Sequence, residues 1–275
     1  MGNYTFEVVP GFFIQDDPSS QSFAPVPPRF GLIDASPQRW INLFGQIRKL
    51  NLSTGHGTSY KLFFFARHGE GYHNVAEAKY GTQAWDDYWS KLNGDGELVW
   101  GPDPELTPLG ISQAEEVRDV LEEELAAKLH LPSKLYSSPF TRALNTCQIQ
   151  WENILISDTN TVSVLEDCRE TIGVHTCDKR RTRSYIESRF EGFIPEPSMT
   201  EEDELWTPDY RETHNEIVTR TTRVLHQVFD EEPGNFISVT AHGGVINAFM
   251  ASLGRSDANL PTGGLMPVVV KATRL

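Results

Sequence analysis

Leu62-Phe63-Phe64-Phe65-Ala66-Arg67-His68-Gly69-Glu70-Gly71-Tyr72-His73-Asn74 holds the most informative junction in the chain. Its apolar, aromatic-rich first part, ended by a glycine-containing turn, predicts a buried strand. The turn then presents a guanidinium and an imidazole side by side at the strand's end. Ligands in open α/β sheets sit at such strand ends. Arginine clamps an oxyanion, and a histidine near neutral pH serves as a nucleophile or moves a proton. A second junction repeats the design. Phe236-Ile237-Ser238-Val239-Thr240 runs into Ala241-His242-Gly243-Gly244, and then into the helical-looking Val245-Ile246-Asn247-Ala248-Phe249-Met250. Two histidines on two strand ends, far apart in sequence, predict one site assembled by the fold.

Between and around these junctions, strand-like and helix-like segments alternate from residue 61 onward. Thr107-Pro108 opens a helix with a hydroxyl cap and a proline in the first turn. Ala114, Val117, Leu121 and Leu125 form its apolar face. Lys134-Leu135-Tyr136 and Thr161-Val162-Ser163-Val164-Leu165 read as strands, Pro139 opens a helix, and residues 211–230 form another around Ile217, Thr221, Val224 and Val228. This alternation predicts an α/β fold. It is a three-layer sandwich whose mostly parallel central sheet is covered by helices on both faces. Residues 1–59 are proline-rich and predict an irregular N-terminal extension packed on the core. Within it, Trp40, Ile41, Leu43, Phe44, Ile47 and Leu50 fit a short amphipathic helix, for the core or for a partner. Residues 60–275 form the main domain. Insertions at about 81–105, with Trp85, Tyr88, Trp89 and Trp100, and at about 171–210 are expected to act as lids that shape a pocket.

Bulk properties narrow the function. The chain has 275 residues, 39% of them apolar, enough for one large domain. Its net charge of −14 argues against nucleic-acid binding and against anchoring to an anionic membrane. Excess carboxylates keep such a chain in solution, so any anionic substrate must be drawn by local arginines. Cys147, Cys168 and Cys177 are too few and odd in number for a disulfide framework, although Cys168 and Cys177 can pair in principle. No secretory leader and no bilayer-length apolar stretch is evident, which points to the cytoplasm, with the nucleus left open. Oligomeric state is not legible.

Four ordered pieces carry a family resemblance: Arg67-His68-Gly69, then Leu106-Thr107-Pro108-Leu109-Gly110-Ile111-Ser112-Gln113-Ala114, then Tyr136-Ser137-Ser138-Pro139-Phe140-Thr141-Arg142-Ala143-Leu144-Asn145-Thr146, then His242-Gly243. Together they resemble the histidine phosphatase superfamily in its phosphoglycerate-mutase-like branch. The stretch Gly11-Phe12-Phe13-Ile14-Gln15-Asp16-Asp17-Pro18 is similar to fungal phosphomutase-like proteins. The resemblance implies a phosphatase of small phosphorylated metabolites that works through a phosphohistidine, or a mutase with the same first step.

Such chemistry assigns roles by residue type. His68 is the expected nucleophile, with a turn carbonyl holding its other N–H. Arg67 and Arg142 are expected to fork onto the phosphoryl oxygens. His242 donates to the phosphoryl group, as does the N-terminus of the helix after Gly243. Asn74 is either a neutral donor or a helix cap. The resemblance also implies a carboxylate as general acid and base. Glu166, Asp167 and Glu170 are candidates, and Glu170 is chosen because Arg169-Glu170-Thr171-Ile172-Gly173 follows a strand and resembles the acid-bearing turn of the family. His175-Thr176-Cys177-Asp178-Lys179-Arg180-Arg181-Thr182-Arg183 is the dense basic cluster of the chain. It either holds a second anion of the substrate, or is a solvated face or pairs with Glu187, Glu191 and neighbours. A metallohydrolase lacks its HExxH helix here, so neither metal nor cofactor is expected. A non-catalytic binding module of the same fold is the remaining alternative.

Overall fold

The computed structural model describes residues 2–17, 24–55, 57–157, 159–255 and 258–275. In chain order its regular elements are β1 (Tyr4–Val8), α1 (Arg39–Ser53), β2 (Thr58–Arg67), α2 (Tyr72–Tyr80), α3 (Thr82–Asp87), α4 (Pro108–Ala126), β3 (Lys134–Ser137), α5 (Thr141–Trp151), β4 (Val162–Val164), α6 (Arg183–Arg189), β5 (Phe193–Pro195), α7 (His214–Glu231), β6 (Phe236–Ala241), α8 (Gly243–Ser252) and β7 (Leu265–Arg274). The strands form one sheet in the order β1-β7-β2-β6-β3-β4-β5. The junctions from β2 to β5 are parallel, whereas β7 runs antiparallel to both β1 and β2.

β2 is apolar from Leu62 to Ala66 because both its faces are covered there. Leu62, Phe64 and Ala66 point to a core completed by Trp40, Leu43 and Ile47 of α1, Val117 and Leu121 of α4, and Leu144 and Trp151 of α5. Phe63 and Phe65 point the other way, toward Val224, Leu225 and Val228 of α7 and Val245, Ile246 and Phe249 of α8. Each large side chain so buried contributes about 1.5–3 kcal/mol. The three-layer α/β arrangement follows.

Three elements depart from the sequence expectation. The N-terminal extension is not wholly irregular, since β1 adds an edge strand against β7, with Tyr4 opposite Arg274. Pro18, at the end of the stretch 11–18, lies outside the described residues. β7 was not anticipated, and Pro267 within it argues against a strand. Leu265, two residues earlier, turns its N–H away from β2 to the Pro25 carbonyl at 3.0 Å. The missing donor of Pro267 falls on that same outer side, beyond the β1 pairing, which begins at Val270. The later insertion also contains regular structure, because β5 extends the sheet and α6 precedes it.

α1 lies on the core. Glu124 of α4 accepts from Arg39 Nε at 2.7 Å and from the Trp40 indole N–H at 2.5 Å. A third, smaller core forms from Ala76, Trp85, Trp100 and Cys177, so the two insertions pack on each other. No helix of the described residues is long and apolar enough to cross a membrane.

Candidate active site

β2, β6, β3 and β4 are parallel, so their carboxyl ends share one edge of the sheet. Register pairs Arg67 with Ala241 and Ser137 with Thr240. The residues just beyond these strands are therefore forced together. The rings of His68 and His242 have centroids 4.9 Å apart, and the His73 ring is 5.5 Å from that of His68. These imidazoles, with Arg67, Asn74 and Glu170, surround a cavity of about 240 Å³ or border directly on its lining.

The tautomer of His68 follows from its neighbour. Its Nδ1 lies 2.7 Å from the Gly69 carbonyl, which can only accept, so the proton sits on Nδ1 and Nε2 carries a lone pair. Burial, with help from the Arg142 and Arg67 charges, holds His68 well below the ordinary imidazole value, so the ring is neutral. His242 Nε2 lies 2.7 Å from Ser138 Oγ. That hydroxyl accepts the Phe140 N–H at 3.4 Å and has no other acceptor for its own proton among the described residues, so it donates to His242. The His242 proton then resides on Nδ1, which has no hydrogen-bond partner among the described residues and lies 3.7 Å from Glu170 Oε2. An unsatisfied buried donor in this position suits an anion.

Of the three carboxylate candidates, Glu170 alone lines this cavity. Glu166 is spent on Arg169 and Arg180, and Asp167 on Arg223. The turn bearing Glu170 is held by buried Arg220, which donates to the carbonyls of Asp167, Arg169 and Glu170 and pairs with Glu212 at 2.8 Å. Gly173 completes the turn at φ +85°, where a Cβ would stand 1.8 Å from the Tyr210 carbonyl oxygen. Glycine alone fits there.

The arginines divide their work. Arg67 lines the cavity with Nε free of partners, while its Nη1 donates to the Leu260 carbonyl at 2.8 Å. Arg142 is completely buried and stacks 4.7 Å from the centre of the Phe140 ring. Its fork is partly committed, with Nη1 to the Cys177 carbonyl at 2.9 Å and Nη2 to Asp178 at 3.2 Å, which leaves Nε and one N–H on each terminal nitrogen. Asn74 acts as a cap through Oδ1, which accepts the Gly71 N–H at 3.0 Å, while its amide nitrogen has no protein partner among the described residues. The cap reading of Asn74 holds, and the amide left over stands at the cavity.

Pairs of glycines pin the first loop. A Cβ on Gly110 would lie 2.1 Å from the Glu70 carbonyl oxygen, and one on Gly69 would lie 2.2 Å from that of Gly110. Thr107 caps α4 and donates its hydroxyl to Glu70 Oε1 at 2.7 Å. The start of α4 therefore rests directly on the histidine loop.

Sequence reasoning missed Ser138, His73, Arg211 and Asp178. Ser138 lay inside a quoted motif, but nothing local marks its hydroxyl. Arg211 precedes a Thr213–Glu216 capping box that announces α7, yet the box says nothing about the cavity. His175, Cys177 and Asp178 of the basic cluster line the cavity, whereas its Lys179, Arg180, Arg181 and Arg183 stay out of it. Arg180 is buried against Glu166, Arg183 pairs with Glu187, and Lys179 and Arg181 lie over Trp206 and Tyr185. The three cysteines are buried and unpaired.

Ligand atoms of His68, Glu170 and His242 lie within 4.8 Å of one another, close enough to share a metal ion, as do those of His175, Cys177 and Asp178. Arg67 and Arg142 stand beside the first set, and Arg211 is bonded to the second. Guanidinium charges there oppose a dication and favour an anion.

Comparison with known proteins agrees in extent. A model described as the histidine phosphatase superfamily (branch 1) matches residues 63–264. The chain is 38% identical over 97% of its length, and 84% of the relative's, to a protein named "Probable phosphoglycerate mutase" from Arthroderma benhamiae. It is 36% identical to a similarly named Saccharomyces cerevisiae protein, covering 85% of each chain. Among solved structures, a mycobacterial glucosyl-3-phosphoglycerate phosphatase with VO3 gives a TM-score of 0.46 at 22% identity, covering 75% of this chain and 92% of the other.

Proposed function

Because the chain belongs to the histidine phosphatase superfamily, we propose that it hydrolyses small phosphate monoesters through a phosphohistidine on His68, without metal or cofactor. One observation carries the reading. A neutral imidazole, its Nδ1 proton tied to Gly69, turns a free Nε2 toward a group of anion donors. Nε2 attacks phosphorus and forms the P–N bond as the P–O bond to the alcohol breaks. Glu170 gives its proton to the departing oxygen. Water then attacks phosphorus, Glu170 takes the water's proton, and the P–N bond breaks to release phosphate. Arg67, Arg142, the Nδ1–H of His242 and the amide of Asn74 stabilise charge on the equatorial oxygens.

A mutase shares the first half of this sequence, and the names of the fungal relatives favour it. The two differ in whether water or a second hydroxyl accepts the phosphoryl group. The test incubates purified protein with 32P-labelled esters, quenches in alkali, and follows acid-labile label, free phosphate and isomerised ester. Label lost in His68→Ala, release of phosphate, and turnover that survives a chelator are expected. Isomerisation without phosphate release would make the protein a mutase. Full turnover in His68→Ala would remove His68 from its role.

A further inference from the structure

From the charges around the cavity we infer that its preferred substrate is a phosphate monoester whose alcohol part carries a positive charge, such as an alkylammonium or quaternary ammonium group. The inference names a substrate class for the site under the phosphatase reading and rests on that reading for turnover, though not for binding.

Four carboxylates line the cavity, Glu77, Asp86, Glu170 and Asp178, against two guanidinium groups, Arg67 and Arg211. For a site meant to take an anion, that balance is unusual. Asp178 is neutralised, since it bridges Arg142 at 3.2 Å and Arg211 at 2.8 Å. Arg211 is committed to the wall, with Nη1 donating to the Thr171 and Gly173 carbonyls and to Asp178, and Nη2 facing His175 Nδ1 at 3.2 Å. The basic residues that follow Asp178 are engaged outside the cavity. Among the lining residues, that leaves Arg67 as the guanidinium with the fewest protein contacts.

Glu77 and Asp86 are the opposite case. Neither is in salt-bridge contact with a Lys or Arg among the described residues, although the charge of Glu77 is felt by Arg67. Among the described residues the Glu77 carboxylate accepts the Thr82 hydroxyl at 3.1 Å, and Asp86 lies 3.5 Å from His175 Nε2. Burial and the adjacent Arg211 hold the His175 ring below its ordinary value, so it does not neutralise Asp86. Both carboxylates stand on α2 and α3, which the aromatic cluster of Trp85 and Trp100 holds in place. The same wall carries His73, 8% exposed, whose Nδ1 has no hydrogen-bond partner. The cavity is thus bipolar. Arg67, His68 and Arg142 form its phosphoryl end, while Glu77, whose charge reaches Arg67, and Asp86 make an acidic wall in the same cavity. A cation on the alcohol part suits the acidic wall, and the Trp85 indole beside it suits a quaternary ammonium. A carboxylate there meets like charge.

The test compares phosphocholine, glycerol 3-phosphate and 3-phosphoglycerate, which place a cation, a neutral diol and an anion on the leaving group. In wild-type protein kcat/KM is expected to fall in that order, by about tenfold or more from first to last. In Glu77→Gln/Asp86→Asn the ratio between the first and last substrates is expected to collapse toward unity. That ratio is read within each variant, so a general loss of activity does not affect it. Equal or reversed wild-type preference, or an unchanged ratio in the double variant, overturns the inference while leaving the phosphatase reading standing. Calorimetric binding of the same three esters to His68→Ala separates the two ideas. Retained binding order without wild-type turnover supports the selectivity and sinks the phosphatase reading. Tighter binding of 3-phosphoglycerate overturns the selectivity.

Discussion

Ser138 shows how one hydroxyl sets the chemistry of another residue. With no other acceptor for its proton among the described residues, it donates to His242 Nε2, which leaves the proton of that ring on Nδ1, facing the proposed phosphoryl site. Removing it frees the ring to flip or change tautomer. Ser138→Ala is therefore expected to lower kcat/KM by about tenfold, the equivalent of about one hydrogen bond to a charged group. Inhibition by inorganic phosphate should weaken in parallel, and unchanged phosphate inhibition would contradict the assignment. Glu170 offers a second residue-scale prediction. Its Oε1 accepts the Thr171 N–H at 2.9 Å, an interaction that glutamine preserves. Glu170→Gln should slow alkyl phosphates by about 10²–10⁴-fold and activated aryl phosphates far less, because only the former need a proton on the departing oxygen. Equal slowing of both classes would show that Glu170 is not the acid.

At the scale of elements, the N-terminus of α4 and the histidine loop act as one unit. Gly110 lies in a helix, where alanine ordinarily gains about 1 kcal/mol over glycine. Here its Cβ would stand 2.1 Å from a backbone oxygen of Glu70, and backbone cannot swing aside as a flexible side chain can. The clash outweighs the propensity. Gly110→Ala is expected to destabilise by about 1–3 kcal/mol and to reduce activity, read by urea unfolding and turnover together. A more stable, fully active variant would mean that the loop adapts. This contact also explains why a helix-opening segment some forty residues downstream belongs to the same motif set as Arg67-His68-Gly69. The apolar periodicities of α4 and α7 were legible because each helix buries one face. β7 was not, since its proline is tolerated only through a pairing pattern that no local stretch of residues encodes.

For the whole molecule, burying three imidazoles together has a consequence for pH. His68, His73 and His242 are all held well below 6.5, chiefly by burial and next by the Arg142 charge. In the window below 6.5 the unfolded chain binds protons that the folded one refuses. Stability is therefore present above that value and lost as pH falls, with a slope approaching about 1.4 kcal/mol per pH unit for each ring. Asp103, pushed up to about 6, and Asp16, also raised by burial, act in the opposite sense above 3.8, because folding favours their protonated forms. The three rings outnumber the two carboxyls. Thermal melts should show a lower midpoint at pH 5.5 than at pH 7.5, and His73→Gln should flatten the profile. A midpoint that rises on acidification would show the rings to be charged in the fold.

The residues by themselves determined the α/β architecture, the two strand-end histidines and the arginine that follows the third strand. Strand burial and helix faces are periodic, and a strand's end is a local event. Only the tertiary structure decided that Arg142 shares Asp178 with Arg211, that the Ser138 hydroxyl meets the His242 ring, that Lys179 and the arginines after it pack away from the cavity, and that Glu77 and Asp86 line it. Those outcomes depend on which side chains meet across the sheet edge and the two packed insertions. Charge has no period along a chain, so partners dozens of residues apart can be read only where the fold brings them within hydrogen-bonding reach.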